Sequence, residues 1–286
     1  LARRLLADGH VVHVLDDLSA GDRSSLSDGV EFSRGDVRDV PRLWSLLGGA
    51  DVVFHLAARV SVPESILYPV EYNAVNTGGT VSVMAAARDA GVRRVVFTSS
   101  GTVYGPQDAQ PIGERAVASP VNPYGVSKLA AEGYVRAIGN LYRIETVILR
   151  VFNAYGPGQR VPPAHPPVIP SFARQILSGG SVVLYGTPPG GQTRDFVYVD
   201  DVVDALVRTA ATSGLSGAVL NVGSGTETSI EEVVCALEEV TGHAARRLET
   251  PEQTAGVARM CADIAAARAA LDWSPRVDLR EGLRRL

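Results

Sequence analysis

Short apolar runs alternate with longer amphipathic stretches through the first half of the chain. Residues 11–15, 30–33, 52–56, 94–99 and 145–151 read as strands, all but the second led by Val, Ile or Leu. Between them, 41–47, 68–90 and 123–142 carry helical periodicity. Near-continuous apolar strands alternating with helices are the pattern of a parallel sheet covered on both faces. A doubly wound α/β fold is therefore predicted. Leu1, Leu5 and Leu6 give an apolar face that stops at Gly9, so the first residues read as the tail of a helix.

The pattern changes after Tyr155. Six of the 17 prolines fall between Pro157 and Pro170, too many for a helix or a central strand. This stretch reads as a loop leading into a second, smaller α+β domain. Beyond it the pattern predicts a helix near 169–177, short strands near 182–184 and 195–199, a helix over 201–212 and a strand at 220–222. Ser229 and Glu232 form a capping box opening a helix to Thr241, and the last residues, 279–286, are again helical in pattern.

Composition narrows the function classes. The chain has 286 residues, 45% apolar and 20% charged, which excludes a disordered protein. No apolar run reaches about 18 residues, so no membrane span is encoded. A net charge of −4 argues against a nucleic-acid or anionic-membrane partner. Cys235 and Cys261 cannot build a disulfide framework, which fits a reducing cytoplasm. His10, His13, His55, His165 and His243 show no metal-ligand spacing, so no metal is expected, and His55 reads as structural. There is no nucleophile elbow. The Asp200-Asp201 pair reads as a helix N-cap.

The basic residues are lopsided: 26 are Arg and one, Lys128, is Lys. GC-rich coding produces such a skew. A site that keeps Lys against it can need a compact, tunable charge that a wide guanidinium does not supply. Composition alone leaves accident and need evenly matched. Lys128 follows Tyr124 by four residues, which puts both on one helical face. A phenol titrates near about 10, and a nearby ammonium lowers that value. The pair could then accept and return a proton at a carbon bearing a hydroxyl. Ser100 and Thr102 stand where the 94–99 strand ends, placed to meet a substrate hydroxyl or to satisfy turn backbone. Asp16 ends the 11–15 strand, where a doubly wound fold binds an adenosine ribose; an ordinary turn aspartate is the other reading.

Taken in order, several segments resemble the extended short-chain dehydrogenase/reductase family, which includes nucleotide-sugar epimerases and dehydratases. They are Leu15-Asp16-Asp17-Leu18-Ser19-Ala20-Gly21, Arg34-Gly35-Asp36-Val37, His55-Leu56-Ala57-Ala58, Thr98 to Gly105, Tyr124 to Lys128, Arg150 to Pro157, and Arg194 to Asp201. The resemblance spans nearly all the chain. It implies NAD as cofactor and a Rossmann-like domain over 1–156, joined by a segment at about 194–223, with 157–286 mainly binding the nucleotide sugar. Asp16 would hold the adenosine ribose, with Asp17, Leu18, Ser19, Ala20 and Gly21 lining its pocket. Asp36 and Val37 would flank adenine. Leu56, Ala57, Ala58 and Arg59 would line the middle of the cofactor, with Asn76 nearby. Tyr124 would be the acid/base, Lys128 its partner on the nicotinamide ribose, and Ser100 with Thr102 the assisting hydroxyls. Phe152 would pack against nicotinamide. Asn153 and Arg194 would bind the diphosphate. Val168, Ile169, Leu184 and Tyr185 would surround the nucleotide base, and Met260 would stand near the gate for sugar size.

Within the family, dehydratases carry Asp-Glu beside the Ser/Thr, whereas this chain has Gly101-Thr102. The resemblance therefore points to a UDP-hexose 4-epimerase, with decarboxylation or dehydration on the same scaffold, or a catalytically idle binding protein, as alternatives. A homodimer through the 68–90 and 123–142 helices is expected from the family. Two features depart from the pattern. The G-x-x-G-x-x-G loop and first strand are not among these residues, so the sequence reads as N-terminally truncated, and this polypeptide alone is expected to bind NAD poorly or misfold. A phosphate-gripping Arg is replaced by Gln253, for which Arg246, Arg247 or Arg259 could compensate.

Two outcomes are expected. Intact-mass measurement of the native protein should give more than 30.2 kDa; a mass at that value would remove the truncation reading. Lys128→Arg should abolish most activity, and wild-type turnover would mean that Lys survived there by chance.

Overall fold

In the computed structural model, which describes residues 1–186, 191–251 and 256–286, the apolar runs do form parallel strands. The chain runs α1 (Ala2–Ala7), β1 (His13–Asp16), β2 (Glu31–Arg34), α2 (Val40–Leu47), β3 (Val52–His55), α3 (Val62–Leu67) and α4 (Pro69–Tyr72). A wide helical turn, Asn73–Gly78, leads into α5 (Gly79–Asp89) and then β4 (Arg94–Ser100). A 3₁₀ turn (Gly101–Tyr104) precedes α6 (Pro123–Tyr142), β5 (Glu145–Val151) and β6 (Asn153–Tyr155). The rest comprises α7 (Val168–Leu177), β7 (Ser181–Tyr185), β8 (Thr193–Arg194), β9 (Phe196–Tyr198), α8 (Val199–Ala211), β10 (Ala218–Val222), β11 (Thr228–Ser229), α9 (Ile230–Thr241), β12 (Arg246–Thr250), α10 (Ala265–Leu271) and α11 (Leu279–Arg284).

The main sheet is parallel, in the order β10-β5-β4-β3. β1 and β2 form a separate parallel pair, so β1 and β3 each stand at a sheet edge among the described residues. Strand residues alternate between two cores, as a period of two requires. Val95, Phe97 and Ile148 pack with Met84 of α5 and Ala131 and Val135 of α6. Val96, Val147, Leu149, Leu220 and Val222 pack on the other face with Ala205 and Leu206 of α8, Leu271 of α10 and Trp273. A further core joins Ile169, Phe172 and Ile176 of α7 to Val182, Leu184, Val233 and Leu237. Helices thus cover both faces of the main sheet, the doubly wound arrangement.

Three differences from the expected elements have physical reasons. The predicted 68–90 helix is interrupted by the wide turn at Asn73–Gly78, because an i→i+5 turn leaves the apolar periodicity nearly intact. The predicted 195–199 strand breaks at Asp195, whose carboxylate is wholly buried and accepts hydrogen bonds from Ser224 Oγ (2.7 Å) and from Gly225 and Ala262 N–H (2.9 and 3.0 Å). α8 begins at Val199, so Asp200 and Asp201 lie in its first turn and neither is the N-cap. Instead, the buried Asp201 carboxylate accepts from Arg276 and Val277 N–H at 3.0 and 3.1 Å, tying the C-terminal segment to α8.

Candidate active site

The first turn of α6 sets the site. Asn122 caps it, its Oδ1 accepting from Gly125 N–H at 2.9 Å, and Pro123 occupies the first helical position. A Cβ at Gly125 would lie 2.8 Å from Pro120 Cβ and 2.9 Å from the Thr102 carbonyl oxygen, so glycine is what lets α6 close on the 3₁₀ turn after β4. Tyr124 N–H donates to Ser65 Oγ at 3.2 Å, and the Tyr72 ring meets the Tyr124 ring edge-on at 6.4 Å. Ser100 O–H donates to Thr102 Oγ1 at 3.1 Å, and Ser100 Oγ accepts from Thr102 N–H at 3.2 Å. The Tyr124 phenol is governed by its burial and by the neighbouring Ser100 hydroxyl. Burial pushes the phenol pKa up, and the Ser100 contact works against that rise.

Lys128 lies one turn on and is 3% exposed. Its Nζ stands 4.3 Å from the Phe97 ring centroid and donates to no acceptor among the described residues. Burial lowers its pKa to about 7, opposed by the charge of Glu132. His55 is structural, as expected. Thr80 O–H donates to the Asn76 carbonyl at 2.6 Å, so Thr80 Oγ1 accepts from His55 Nε2–H at 2.9 Å. Burial and the charge of Lys128 hold His55 down at about 3, hence neutral.

On the cofactor side, Asp16 Oδ1 accepts from Leu18 N–H at 2.7 Å, and Asp17 accepts from Ser19 N–H and O–H at 2.8 and 2.6 Å. A Cβ at Gly21 would lie 2.7 Å from Asp16 Oδ1. Asp16, Leu18 and Gly21 line a cavity of about 80 Å³ floored by Val14 and Phe32, and Ala20 is exposed beside it. Leu56 is exposed, and Ala57, Ala58 and Arg59 are half-buried, an open ledge at the end of β3. Asp36 is clamped by Arg38 at 2.7 Å, which holds its carboxyl below the usual range, and Val37 packs against Gly79. Asn76 does not offer its amide to a ligand. It is 1% exposed, its Oδ1 accepts from Arg59 N–H at 2.8 Å, and its Nδ2 donates to the Arg59 carbonyl and Ser127 Oγ at 3.0 and 2.9 Å. It fixes the ledge to α6.

On the substrate side, Asn153 is exposed and its N–H donates to the Asp195 carbonyl at 3.0 Å. Arg194 donates to the Thr193 carbonyl and Gln192 Oε1 at 2.7 and 3.1 Å, with no carboxylate partner among the described residues. Phe152 is buried among Val103, Tyr104 and Met260, close against Gly101. Met260 is likewise core, which removes its side chain from an open gate. Ile169 and Leu184 are buried in the α7–α9 core, leaving Val168, half-buried, and Tyr185, exposed, to meet a base. Arg247 is paired with Glu231 and Glu238, and Arg259 with Glu227, so neither is a spare cation. Gln253 lies outside the described residues. Sequence reasoning missed the buried Glu132–Arg150 pair, although Glu132 follows Lys128 at the four-residue spacing that singled out the Tyr-Lys pair. It also missed Arg160, whose Nη2 donates to the Gly21 carbonyl at 2.8 Å.

These residues follow the C-terminal ends of β1, β3, β4 and β5, where doubly wound folds bind dinucleotides. A buried ammonium without an acceptor, an open ledge at Leu56–Ala58 and a carboxylate in the β1 pocket fit NAD.

Because the Lys128 pKa is lowered, the unfolded chain binds more protons than the folded one between about 7 and the ordinary lysine range, so stability rises with pH across that window. Urea unfolding without added nucleotide should show wild type gaining on Lys128→Met as pH rises above about 7. A constant difference would contradict it.

The chain matches the NAD dependent epimerase/dehydratase family over residues 1–223. A UDP-glucose 4-epimerase of Mycolicibacterium smegmatis is 40% identical over 291 residues, covering 99% of this chain and 91% of the relative. The crystal structure of the UDP-glucose 4-epimerase of Thermotoga maritima with UDP-glucose is similar at a TM-score of 0.93 and 30% identity, covering 99% of this chain and 91% of that one. The Thermus thermophilus UDP-glucose 4-epimerase in complex with NAD gives 0.91 and 33%, covering 99% and 92%. With the Tyr124–Ser100–Lys128 geometry set on a doubly wound sheet, the chain belongs to the NAD dependent epimerase/dehydratase family.

Proposed function

We propose that this protein inverts C4 of a nucleotide sugar of the UDP-glucose/UDP-galactose type through a transient 4-keto sugar. The observation that carries this reading is the buried Tyr124, beside Ser100 and one helical turn from Lys128, with no carboxylic acid at Gly101 or Thr102. Bound NAD would supply a reversible hydride acceptor at C4. Tyr124 Oη takes the proton of the sugar 4-hydroxyl and returns it, while Ser100 orients the reacting oxygen. Lys128 and Asp16 hold ribose hydroxyls. The Leu56–Arg59 ledge supports the middle of the cofactor.

Asn153 and Arg194 face the diphosphate, and Val168 and Tyr185 the base. Residues 1–156 with 194–223 carry the cofactor, and the remainder mainly the nucleotide sugar. Gly101-Thr102 speaks against dehydration, which needs an acid there. A homodimer is supported by the exposed apolar stripe Val126, Tyr134 and Leu141 on α6 beside Ile66, Leu67 and Val70. Two free cysteines support a cytoplasmic setting, and among the described residues no helix is long and apolar enough to cross a membrane.

Incubation with UDP-glucose or UDP-galactose and NAD should interconvert the two without net NADH. A 4-keto-6-deoxy product would mean dehydration, carbon dioxide from UDP-glucuronate decarboxylation, and binding without turnover an idle protein. Tyr124→Phe should lower kcat by about 10²–10⁴-fold.

A further inference from the structure

Lys128 stands between two ionisable groups on the buried face of α6. Tyr124 lies one turn before it and Glu132 one turn after. Glu132 is 2% exposed and takes a two-point grip from Arg150, Nε to Oε1 at 3.0 Å and Nη2 to Oε2 at 2.7 Å. Ser99 O–H donates to the same Oε1. Arg150 stacks over the Tyr104 ring at 4.7 Å, and Tyr104 O–H donates to Asn221 Oδ1 at 2.7 Å. The proton transfer described above uses none of these groups. A buried ion pair is a poor source of stability compared with apolar residues of the same shape. Its position suggests another use, because Ser99 immediately precedes Ser100 and the carboxylate acts on the charge of Lys128.

Lys128 of α6 packs against the β3–β4 side of the sheet, and other ionisable groups stand on the elements around it. α6 supplies Tyr124 and Glu132, β3 the neutral His55, and β4 the hydroxyls Ser99 and Ser100 with the Phe97 ring. β5 supplies Arg150, and Tyr104 follows β4. Tyr72 of α4 donates to Glu64 of α3 at 2.8 Å, and Arg88 and Asp89 of α5 pair with each other. The Phe97 ring face favours the ammonium, and among the charged groups of the described residues Glu132 is the one whose charge supports it.

We propose that Glu132, clamped by Arg150 and Ser99, is a positioning residue that serves as the counter-charge of Lys128 and keeps a protonated ammonium beside Tyr124 in a buried site. This rests on the epimerase reading for its purpose, but the charge itself can be read without turnover. Arg150 has the opposite influence, since its own charge offsets that of the carboxylate.

The single lysine makes a direct test available. Protein labelled with 13Cε-lysine gives one lysine signal, whose shift follows Nζ protonation. Glu132→Gln should lower its titration midpoint by about one unit. Arg150→Gln, which leaves the carboxylate without its cation, should raise it. The alkaline limb of the kcat profile should move in the same two directions, with KM for UDP-glucose little changed. A merely structural role would lower the melting temperature of both variants and leave the midpoint in place. An unmoved midpoint, or one moved in the same direction in both, would overturn the inference. Should the single variants fail to fold, Glu132→Gln/Arg150→Gln leaves neither charge unpaired. Its midpoint should still fall below that of wild type, because Glu132 lies one turn from Lys128; a midpoint at or above wild type would overturn the inference. Epimerase activity with unmoved midpoints defeats this inference alone, whereas shifted midpoints without epimerase activity defeat only the functional reading.

Discussion

Lys128 has to carry charge in a place that expels charge. Its ammonium is nearly buried, meets an aromatic face and finds no oxygen acceptor among the described residues. An ion in that position is costly unless its surroundings are fixed in advance. Much of the surrounding structure does that fixing. Asn122 and Gly125 lock the start of α6 against the 3₁₀ turn, Asn76 and Thr77 grip Ser127, and Glu132 supplies charge from below. The Leu56–Arg59 ledge, the first turns of α6 and the turn after β4 are therefore tied together.

The segments after β5 attach to that unit through Asp195. The Asp195 carboxylate gathers amides from 224, 225 and 262, and its carbonyl takes the Asn153 N–H. The two residues assigned to the diphosphate are thereby placed from the junction between β5, β6, β8 and β10. Across the molecule, Arg160 links the proline-rich loop to the carbonyl of Gly21, so the loop on the substrate side touches the β1 pocket.

Strands of the main sheet were legible because parallel strands buried on both faces are written as Val and Leu runs. β12, Arg246–Thr250, was not: Leu248 is its one apolar residue, and pairing with β7 makes it a strand. β6 has three residues and α10 is mostly alanine, so neither carries a period. Tyr124, Lys128 and Ser100 could be read from spacing and order. Asn76 could be placed near the site, yet its task depends on Arg59 and Ser127, which local pattern does not connect to it. Met260, Ile169 and Leu184 show the opposite error, since apolar side chains assigned to ligand surfaces are claimed by the core.

The wide turn at Asn73–Gly78 holds its information in length. Before it, Tyr72 donates to Glu64 and meets Tyr124; after it, Thr80 Oγ1 accepts from His55 Nε2–H. Each helical residue advances about 100°. Losing one residue from this turn would swing α5 by that angle relative to α4, and the two sets of contacts could no longer be made together. Side chains at the turn's outer face can vary freely, whereas its residue count cannot: the segment acts as a phase spacer, and insertions or deletions there are the changes this architecture is least able to absorb.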